Sequence, residues 1–227
     1  MATAIVNTPP VLSTTHTGGL PVPKWPHYIP VAEYLRREEI AVEKSEYREG
    51  EILPMPGASI PHTILTNNVG GELYLALKKQ RDCTVHSSDL KIHIATQSAF
   101  RYPDIAVVRG VPARFAGRTD TITNPVVLVE ILSPSTEGSD RGDKFEEYQT
   151  LESLQDYVLV SQSRPRIEVY SRASDGEWKY RGYAGLPESA TVPSLGIVLA
   201  LADVYDKVAF ASQEKSDAQA GNADTNA

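Results

Sequence analysis

Two carboxylates inside apolar segments are the residues of this chain best suited to chemistry. Glu130 lies in VVLVEIL (126–132), where six of seven residues are Val, Leu or Ile. Asp104 follows Pro103 and begins a second apolar segment, DIAVV. Such runs predict strands that are buried on both faces, where an ionised carboxylate is costly unless a cation compensates it. Two acids on neighbouring buried strands therefore predict a divalent-metal site.

The chemistry that suits such a pair is metal-assisted hydrolysis of a phosphate ester. Mg²⁺ prefers oxygen ligands and takes one or two carboxylates together with waters and substrate phosphate oxygens. The bound cation polarises the phosphoryl group and lowers the pKa of a water, which becomes the nucleophile. A lysine near that water would orient it or stabilise the developing charge. Lys144 is the nearest candidate, and we expect it to share a helical face with Tyr148 and Leu151, with Tyr148 in a supporting position.

Hydrophobic periodicity and turn residues predict the elements that position these side chains. Helices are expected at 31–39, 61–79 and 140–151, the second with Pro61 in its first turn. Strands are expected on both sides of Gly50 and at 83–87, 89–95, 104–109, 126–132, 156–161, 165–172 and 177–184. This order of helix, strands, helix and further strands predicts an α/β (α+β mixed) fold with a central mixed β-sheet flanked by helices.

Composition divides the chain into one domain and two tails. Residues 1–27 are rich in Thr, Pro, Gly and Ala, and the end of the chain has almost no large apolar side chain. We therefore expect a disordered N-terminal segment at 1–27, a domain at 28–208 and a disordered C-terminal tail at 209–227. With 227 residues and 41% hydrophobic content, the chain is large enough for a substantial core.

Charge and cysteine content restrict the classes of function. The net charge of −7 argues against general adhesion to nucleic acid, although eight basic residues between Lys78 and Arg118 leave room for a local basic face beside the site. The one cysteine, Cys83, excludes an internal disulfide or a cysteine-rich zinc site and is expected in the core. No membrane-length apolar run or secretory signal pattern is found, so a cytoplasmic protein without a membrane partner is expected.

Five motifs in a fixed order resemble those of a known family. They are EYREGEI, MPGAS-x-x-H, YPDIAVV, VEILSPST and DRGDKFEEY. They are similar to those of the Uma-two family of restriction-endonuclease-like proteins, a branch of the PD-(D/E)xK nuclease superfamily, over residues 28–208. The resemblance implies a restriction-endonuclease-like core, cleavage of DNA phosphodiester bonds that depends on Mg²⁺ (or Mn²⁺), and a homodimer.

The resemblance also implies roles for individual residues. Asp104 corresponds to the acid after the motif proline and Glu130 to the (D/E) position, so both would hold the metal together with the backbone carbonyl of Ile131. Leu132 stands where the superfamily pattern has lysine, so the catalytic ammonium must come from elsewhere. Lys144 in DRGDK is the first candidate and Lys91 the second. Glu46 corresponds to an early acidic residue that would assist, by binding the metal through water.

Each of these residues also has a simpler explanation. Glu130 and Lys144 could form a purely structural ion pair, and Asp104 could be satisfied by backbone amides alone. Glu46 could be a surface strand residue, and His62 is expected to make a hydrogen bond at a helix terminus rather than contact substrate. Asp89 is expected to pair with a nearby lysine or arginine.

Three functional hypotheses are compatible with these residues. The first is a Mg²⁺-dependent endonuclease acting on DNA, with Asp104, Glu130, Lys144 and Glu46 as its site. The second is a catalytically inactive nuclease-fold binding or regulatory protein, which the acidic balance and Leu132 favour. The third is a structural protein in which the same charges form an internal network. The chain has no phosphate-binding GxxxxGK[ST] loop, no GxGxxG fingerprint, no G-x-S-x-G elbow and no HExxH motif.

Overall fold

The structure, a computed structural model, describes residues 28–210. Its α-helices and β-strands, in chain order, are α1 (Val31–Glu38), β1 (Ser45–Arg48), β2 (Glu51–Pro54), α2 (Ile60–Leu77), β3 (Cys83–Ser87), β4 (Lys91–Ile94), β5 (Ala99–Arg101), β6 (Ile105–Arg109), β7 (Thr121–Ile122), β8 (Val127–Leu132), α3 (Glu137–Arg141), α4 (Asp143–Gln149), β9 (Asp156–Ser161), β10 (Arg166–Arg172), β11 (Trp178–Ala184), β12 (Ser189–Val192), β13 (Ile197–Ala200) and α5 (Leu201–Val204). The tail predicted at 1–27 lies outside the described residues, and so does the tail predicted at 209–227 except for Ala209 and Phe210.

The larger sheet has six strands in the order β11-β10-β9-β8-β6-β3. All neighbours are antiparallel except β8 and β9, which are parallel. Every residue of β8 and β9 is buried, as expected of strands whose two faces are both covered. The run of β-branched residues around Glu130 therefore forms the centre of this sheet.

Helix α2 covers one face of the larger sheet. It begins after Ser59, whose hydroxyl accepts a hydrogen bond from the His62 backbone N–H, and Pro61 occupies its first turn. Leu65, Val69, Leu73 and Leu77 recur every four residues on its buried side and pack against alternate residues of β6 and β8. The capped end of the helix is thereby held at the same edge of the sheet as Asp104.

The opposite face of the larger sheet is covered by α4. Tyr148 of this helix packs with Leu128 and Leu132 of β8 and with Tyr157 of β9. Since side chains alternate between the faces of a strand, Glu130 points to this side as well. The two helices and the sheet thus form the mixed α/β arrangement that the sequence predicts.

A second sheet has five strands in the order β2-β1-β5-β4-β7. Helix α1 packs on it through Tyr34, which contacts Tyr47 of β1 and Phe100 of β5. The chain leaves this sheet at Arg101 and enters the larger sheet at Ile105, so Tyr102, Pro103 and Asp104 connect the two.

Parts of the fold differ from the sequence predictions. Instead of one sheet there are two main sheets and a two-stranded pair, β12 and β13. Strands β5, β7, β12 and β13 have only two to four residues, too few to show a period of two. The single helix predicted at 140–151 is two short helices, because the backbone of Gly142 (φ −106°, ψ −102°) is not helical. Within residues 28–210, no helix combines the length and apolar content needed to cross a membrane.

Candidate active site

Asp104 and Glu130 lie next to each other on neighbouring strands. Strands β6 and β8 are antiparallel, with Ile105 opposite Val129, so Asp104 and Glu130 are the next facing positions and share one side of the sheet. One oxygen of Asp104, Oδ2, accepts a hydrogen bond from the Ile131 N–H at 2.7 Å. The N–H and C=O of one strand residue point toward the same neighbour, so the Ile131 carbonyl also faces the Asp104 side.

An open cleft of about 830 Å³ gives solvent access to this pair. Its walls come from the segment before α2, the first turns of α2, the loop after β8, and α3 with α4. The lining residues are Glu43, Lys44, Met55, Pro56, Gly57, Ala58, Ser59, His62, Thr63, Thr66, Asn67, Ser88, Tyr102, Asp104, Glu130, Ile131, Ser133, Pro134, Ser135, Thr136, Asp140, Lys144 and Gln162. The cleft therefore contains Asp104, Glu130, Ile131 and Lys144, four of the five residues assigned to the site from the sequence.

Lys144 extends from the first turn of α4 into a group of carboxylates. Its Nζ lies 3.3 Å from Glu130 Oε1, 3.1 Å from Asp140 Oδ1 and 3.4 Å from Glu46 Oε1. The Tyr148 hydroxyl, one helical turn further along, donates a hydrogen bond to Glu130 Oε1 at 3.0 Å. The lysine thus reaches the (D/E) carboxylate from a helix, with Tyr148 in the supporting position expected of it.

Lys91, the alternative source of the ammonium, is placed in a different group. Its Nζ donates to Asp120 Oδ2 at 2.7 Å and to the Tyr102 hydroxyl at 3.1 Å. It is not among the residues that line the cleft. The geometry therefore favours Lys144 as the lysine that faces Glu130.

The electrostatics around Lys144 are dominated by an excess of acids. Burial raises the pKa of Glu130 well above 4.5. The positive charge of Lys144 acts to lower that pKa, and the negative charges of Asp140, Asp104 and Glu46 act to raise it further. Burial likewise raises the pKa of Asp140. Burial alone would lower the pKa of Lys144, but Glu130, Glu46 and Asp140 together raise it. The lysine therefore stays charged, while the carboxylates around it are under-compensated.

Glu46 is buried rather than exposed on the surface. Its Oε1 accepts the Tyr102 backbone N–H at 3.1 Å and its Oε2 accepts Arg101 Nη1 at 2.8 Å. Arg101 makes a two-bond contact with Glu147, at 2.7 Å each. Both oxygens of Glu46 are thus held by protein donors, and Glu46 does not line the cleft.

The structure also gives the contacts of His62, Asp89 and Cys83, for which the sequence led to simpler expectations. The His62 ring Nε2 lies 2.9 Å from Asp104 Oδ1, in addition to the backbone capping bond expected at this helix terminus. Asp89 is exposed and pairs with Lys44 at 3.0 Å. Cys83 is partly buried and packs against the main core.

Three functional neighbours were missed by the sequence reasoning: Arg101, Asp140 and Glu147. Asp140 and Glu147 lie inside the motif DRGDKFEEY, Arg101 directly precedes the motif YPDIAVV, and Asp140 precedes Lys144 by four residues. That spacing predicts proximity on a helix and was the one available signal. The pairing of Arg101 with Glu147 had no local signal, because the two residues are 46 positions apart.

None of the eight basic residues from Lys78 to Arg118, which were expected to leave room for a basic face beside the site, lines the cleft. Lys78 and Lys79 follow the far end of α2, and a helix of 18 residues separates its ends by about 27 Å. Lys91, Arg101 and Arg118 are each paired with acids. The lysines of the cleft itself are Lys44 and Lys144.

Comparison with known proteins agrees with this architecture. The family model described as "Uma2: Putative restriction endonuclease" matches residues 31–202, which is most of the chain. This chain belongs to the Uma2 family. The resemblance drawn from the five motifs is thereby confirmed.

Among the relatives of this Uma2 chain are two proteins of Synechocystis sp. (strain ATCC 27184 / PCC 6803 / Kazusa). The uncharacterized protein sll1609 is 40% identical over 147 residues, which are 65% of this chain and 82% of the relative. The uncharacterized protein slr1290 is 35% identical over 195 residues, which are 86% of this chain and 98% of the relative.

One solved structure has a similar fold. It is the crystal structure of "a putative nuclease belonging to DUF820" from Anabaena variabilis ATCC 29413, with a TM-score of 0.65 and 19% sequence identity. The match covers 80% of this Uma2 chain and 99% of that protein. The mixed α/β fold class is therefore confirmed at the level of the whole domain.

Proposed function

We propose that this protein is a divalent-cation-dependent endonuclease that hydrolyses phosphodiester bonds in DNA, with Mg²⁺ or Mn²⁺ as the cation. One observation carries the proposal: Asp104 and Glu130 face the same open cleft from adjacent strands, with the Lys144 ammonium 3.3 Å from Glu130. Membership in a family described as a restriction endonuclease supports DNA as the substrate.

The residues of the cleft fit a hard divalent cation. Glu130 and Asp140, which line the cleft, share the Lys144 ammonium within 3.3 Å, and Asp104 adds a third carboxylate, so these acids outnumber the ammonium they share. Within residues 28–210, no three His, Cys, Asp or Glu side chains are arranged ready to hold one metal ion. This matches Mg²⁺, which usually takes one or two carboxylates and completes its shell with water and phosphate oxygens. Asp104, Glu130 and the Ile131 carbonyl would be the protein ligands.

The cation, when bound, would act as a Lewis acid on the phosphoryl group and would lower the pKa of a water that serves as the nucleophile. The protein's own residues would provide position and charge. The Ile131 N–H and the His62 ring hold the two oxygens of Asp104, and the Tyr148 hydroxyl holds Glu130. The buried Lys144 ammonium would stabilise negative charge that develops on the phosphoryl group, because charge interactions are strong away from water.

The proposal extends to assembly and location. We propose a homodimer that acts in the cytoplasm. The edge strands of the larger sheet are β11 and β3, and these are the edges that a twofold partner could extend. Static light scattering on the purified protein tests the dimer: a monomeric mass across the micromolar range would contradict it.

A nicking assay tests the function directly. Purified protein with Mg²⁺ or Mn²⁺ should convert supercoiled plasmid to the open circular form, and EDTA should stop the conversion. Asp104→Ala and Glu130→Ala should each reduce the rate by at least about a hundredfold, while Asp89→Ala, which removes an exposed carboxylate, should retain it. Full activity in both site variants would overturn the assignment.

A specific observation also favours a second candidate, a binding protein without catalysis. The position two residues after Glu130 is Leu132, which is buried in the apolar core, and the lysine comes instead from α4. Titration calorimetry separates the two candidates. An inactive protein should show no stoichiometric Mn²⁺ binding that depends on Asp104, whereas the nuclease should.

A further inference from the structure

Asp140 is a buried carboxylate of the cleft that has no role in the proposed mechanism. Its side chain is 2% exposed, yet it is one of the residues that line the cleft. Oδ1 lies 3.1 Å from Lys144 Nζ but makes no hydrogen bond of acceptable geometry within residues 28–210. Buried polar atoms nearly always have hydrogen-bond partners, so an exception at a functional cleft calls for a ligand or a water.

Glu46 provides an internal comparison because it also contacts Lys144. Both oxygens of Glu46 already accept protein hydrogen bonds, from Tyr102 and Arg101. Glu46 is also absent from the cleft lining. The two acids are therefore similar in charge, burial and distance to Lys144, but only Asp140 both lines the cleft and has an oxygen, Oδ1, without a hydrogen-bond partner among residues 28–210.

A helix break at Gly142 separates Asp140 from Lys144. The chain would continue as one helix from α3 into α4, but Gly142 interrupts it. A Cβ atom at Gly142 would lie 3.1 Å from the Gly138 carbonyl oxygen, which is tighter than ordinary packing. Asp140 and Lys144 thus come from separate short helices and meet at the cleft wall.

We infer that Asp140 is an outer carboxylate of the cation site, accepting a hydrogen bond from a water bound to the cation, whereas Glu46 acts only by holding Lys144 and Arg101. The inference rests on the proposed function. A contact through water does not require Asp140 to be a direct ligand, and within residues 28–210 no three His, Cys, Asp or Glu side chains form a group that could hold a metal ion. Outer-shell partners of metal ligands typically contribute ten- to a hundredfold in metal affinity.

Mn²⁺ titration calorimetry on two matched variants tests this assignment. Asp140→Asn and Glu46→Gln each remove one acidic group within 3.4 Å of Lys144 Nζ. Any general electrostatic effect on Mn²⁺ binding should therefore be similar in the two variants. We expect Asp140→Asn to weaken Mn²⁺ binding by about tenfold or more, and Glu46→Gln by less than about threefold. Equal losses, or an unchanged affinity in Asp140→Asn, would overturn the inference.

Two further measurements separate this inference from the proposed function. If Asp104→Ala abolishes Mn²⁺ binding and Asp140→Asn leaves it intact, only the role of Asp140 is wrong; if the wild-type protein binds no Mn²⁺, both proposals are wrong. Wild-type crystals soaked in Mn²⁺ give an answer that does not depend on the folding of any variant. The anomalous peak should lie about 4–5 Å from Asp140 Oδ1, the sum of a cation–water and a water–carboxylate distance, and a peak beyond about 7 Å would contradict the inference.

Discussion

Asp120 and Glu130 are both carboxylates beside a buried lysine, but their surroundings are opposite in charge. Asp120 accepts hydrogen bonds from Lys91, from two nitrogens of Arg118 and from the Thr121 hydroxyl. Burial alone would raise its pKa, yet Arg118 and Lys91 hold that pKa well below the usual range. Glu130 shares its one lysine with Glu46 and Asp140, and its pKa is raised.

The difference separates a structural ion cluster from a candidate site. Around Asp120 the two cations Lys91 and Arg118 are matched by two carboxylates, Asp120 and Glu39, so the charges of the cluster balance. Around Glu130 the acids outnumber the nearby ammonium, and the uncompensated charge lies where a cleft opens to solvent. A buried ion group of the second kind is destabilising unless another cation enters. The two regions therefore respond differently to substitution, to divalent cations and to pH.

The largest expected difference is between the two lysines. Lys144→Met should reduce plasmid nicking by about a hundredfold or more, because it removes the charge that would stabilise the developing anion. Lys91→Met should leave nicking within about threefold, since Lys91 contacts Asp120 and does not line the cleft. Initial rates at saturating Mg²⁺, with circular dichroism to verify folding, measure both. A greater loss in Lys91→Met would transfer the catalytic role to that lysine.

The two carboxylates should differ in their contribution to stability. Asp120→Asn leaves a buried lysine without its acidic partner, and it should lower the free energy of unfolding by about 1–3 kcal/mol, with allowance for the 37% exposure of Asp120. Glu130→Gln relieves the excess of negative charge, and it should change the free energy of unfolding by less than about 1 kcal/mol in EDTA. Urea unfolding curves measure the two values. A greater loss in Glu130→Gln would mean that its pairing with Lys144 already satisfies the cluster.

The stabilisation by divalent cations should increase with pH. The pKa of Glu130 is raised above 4.5 in the folded state, so its contribution to stability is present below pH 4.5 and is lost as the pH rises through the folded value. A cation needs the deprotonated form and offsets that loss, by about 1.4 kcal/mol at ten times its Kd. Thermal unfolding with Mn²⁺ or EDTA from about pH 5 to pH 8 should show a growing difference. A difference independent of pH, or one retained in Glu130→Gln, would exclude Glu130 from the effect.

The smallest expected effect comes from a residue outside both clusters, and it refines the pH comparison. Burial between Phe100 and Phe115 lowers the pKa of His93 to about 4 from 6.5, so the stability it contributes is present above pH 6.5 and is lost as the pH falls toward 4. His93→Phe should keep the ring packing. It should also reduce, by about 1 kcal/mol, the loss in the free energy of unfolding between pH 7.5 and pH 5. This is less than the whole pKa shift of His93 would give, because the side chain is only partly buried. Unfolding at pH 5 and pH 7.5 measures it. An unchanged pH dependence would show that His93 remains accessible to protons in the fold.

Much of the fold was predictable because its signals are local. The apolar β-branched runs of β8 and β9 and the four-residue spacing in α2 each indicate their structure within one segment. The family resemblance and the α/β class followed from such segments and are confirmed. Strands β5, β7, β12 and β13 were not predicted, because strands of two to four residues depend on their partners for pairing and carry too short a pattern of their own.

The candidate site was predictable only in part. Asp104 and Glu130 were named because acids inside apolar strands are unusual, and Lys144 because it lies in the helix predicted after the Glu130 strand and in the family's DRGDK segment. The burial of Glu46 was not predictable, because it results from pairing with Arg101, 55 positions away. The spacing of Asp140 and Lys144 indicates that they lie near each other, but the unpartnered Oδ1 of Asp140 was not predictable, because it depends on the packing around that carboxylate.

The sequence by itself determined that two acids would be embedded in sheet, that a capped helix would precede them and that the chain belongs with Uma2 proteins. Only the tertiary structure decided which cations meet which acids. In the folded chain Lys91 and Arg118 pair with Asp120, whereas Lys144 contacts three acids, Glu46, Glu130 and Asp140. The physical reason is range: hydrophobic patterning acts between near neighbours in the chain, whereas compensation of charge depends on distances in space that exist only after the two sheets and their helices have packed.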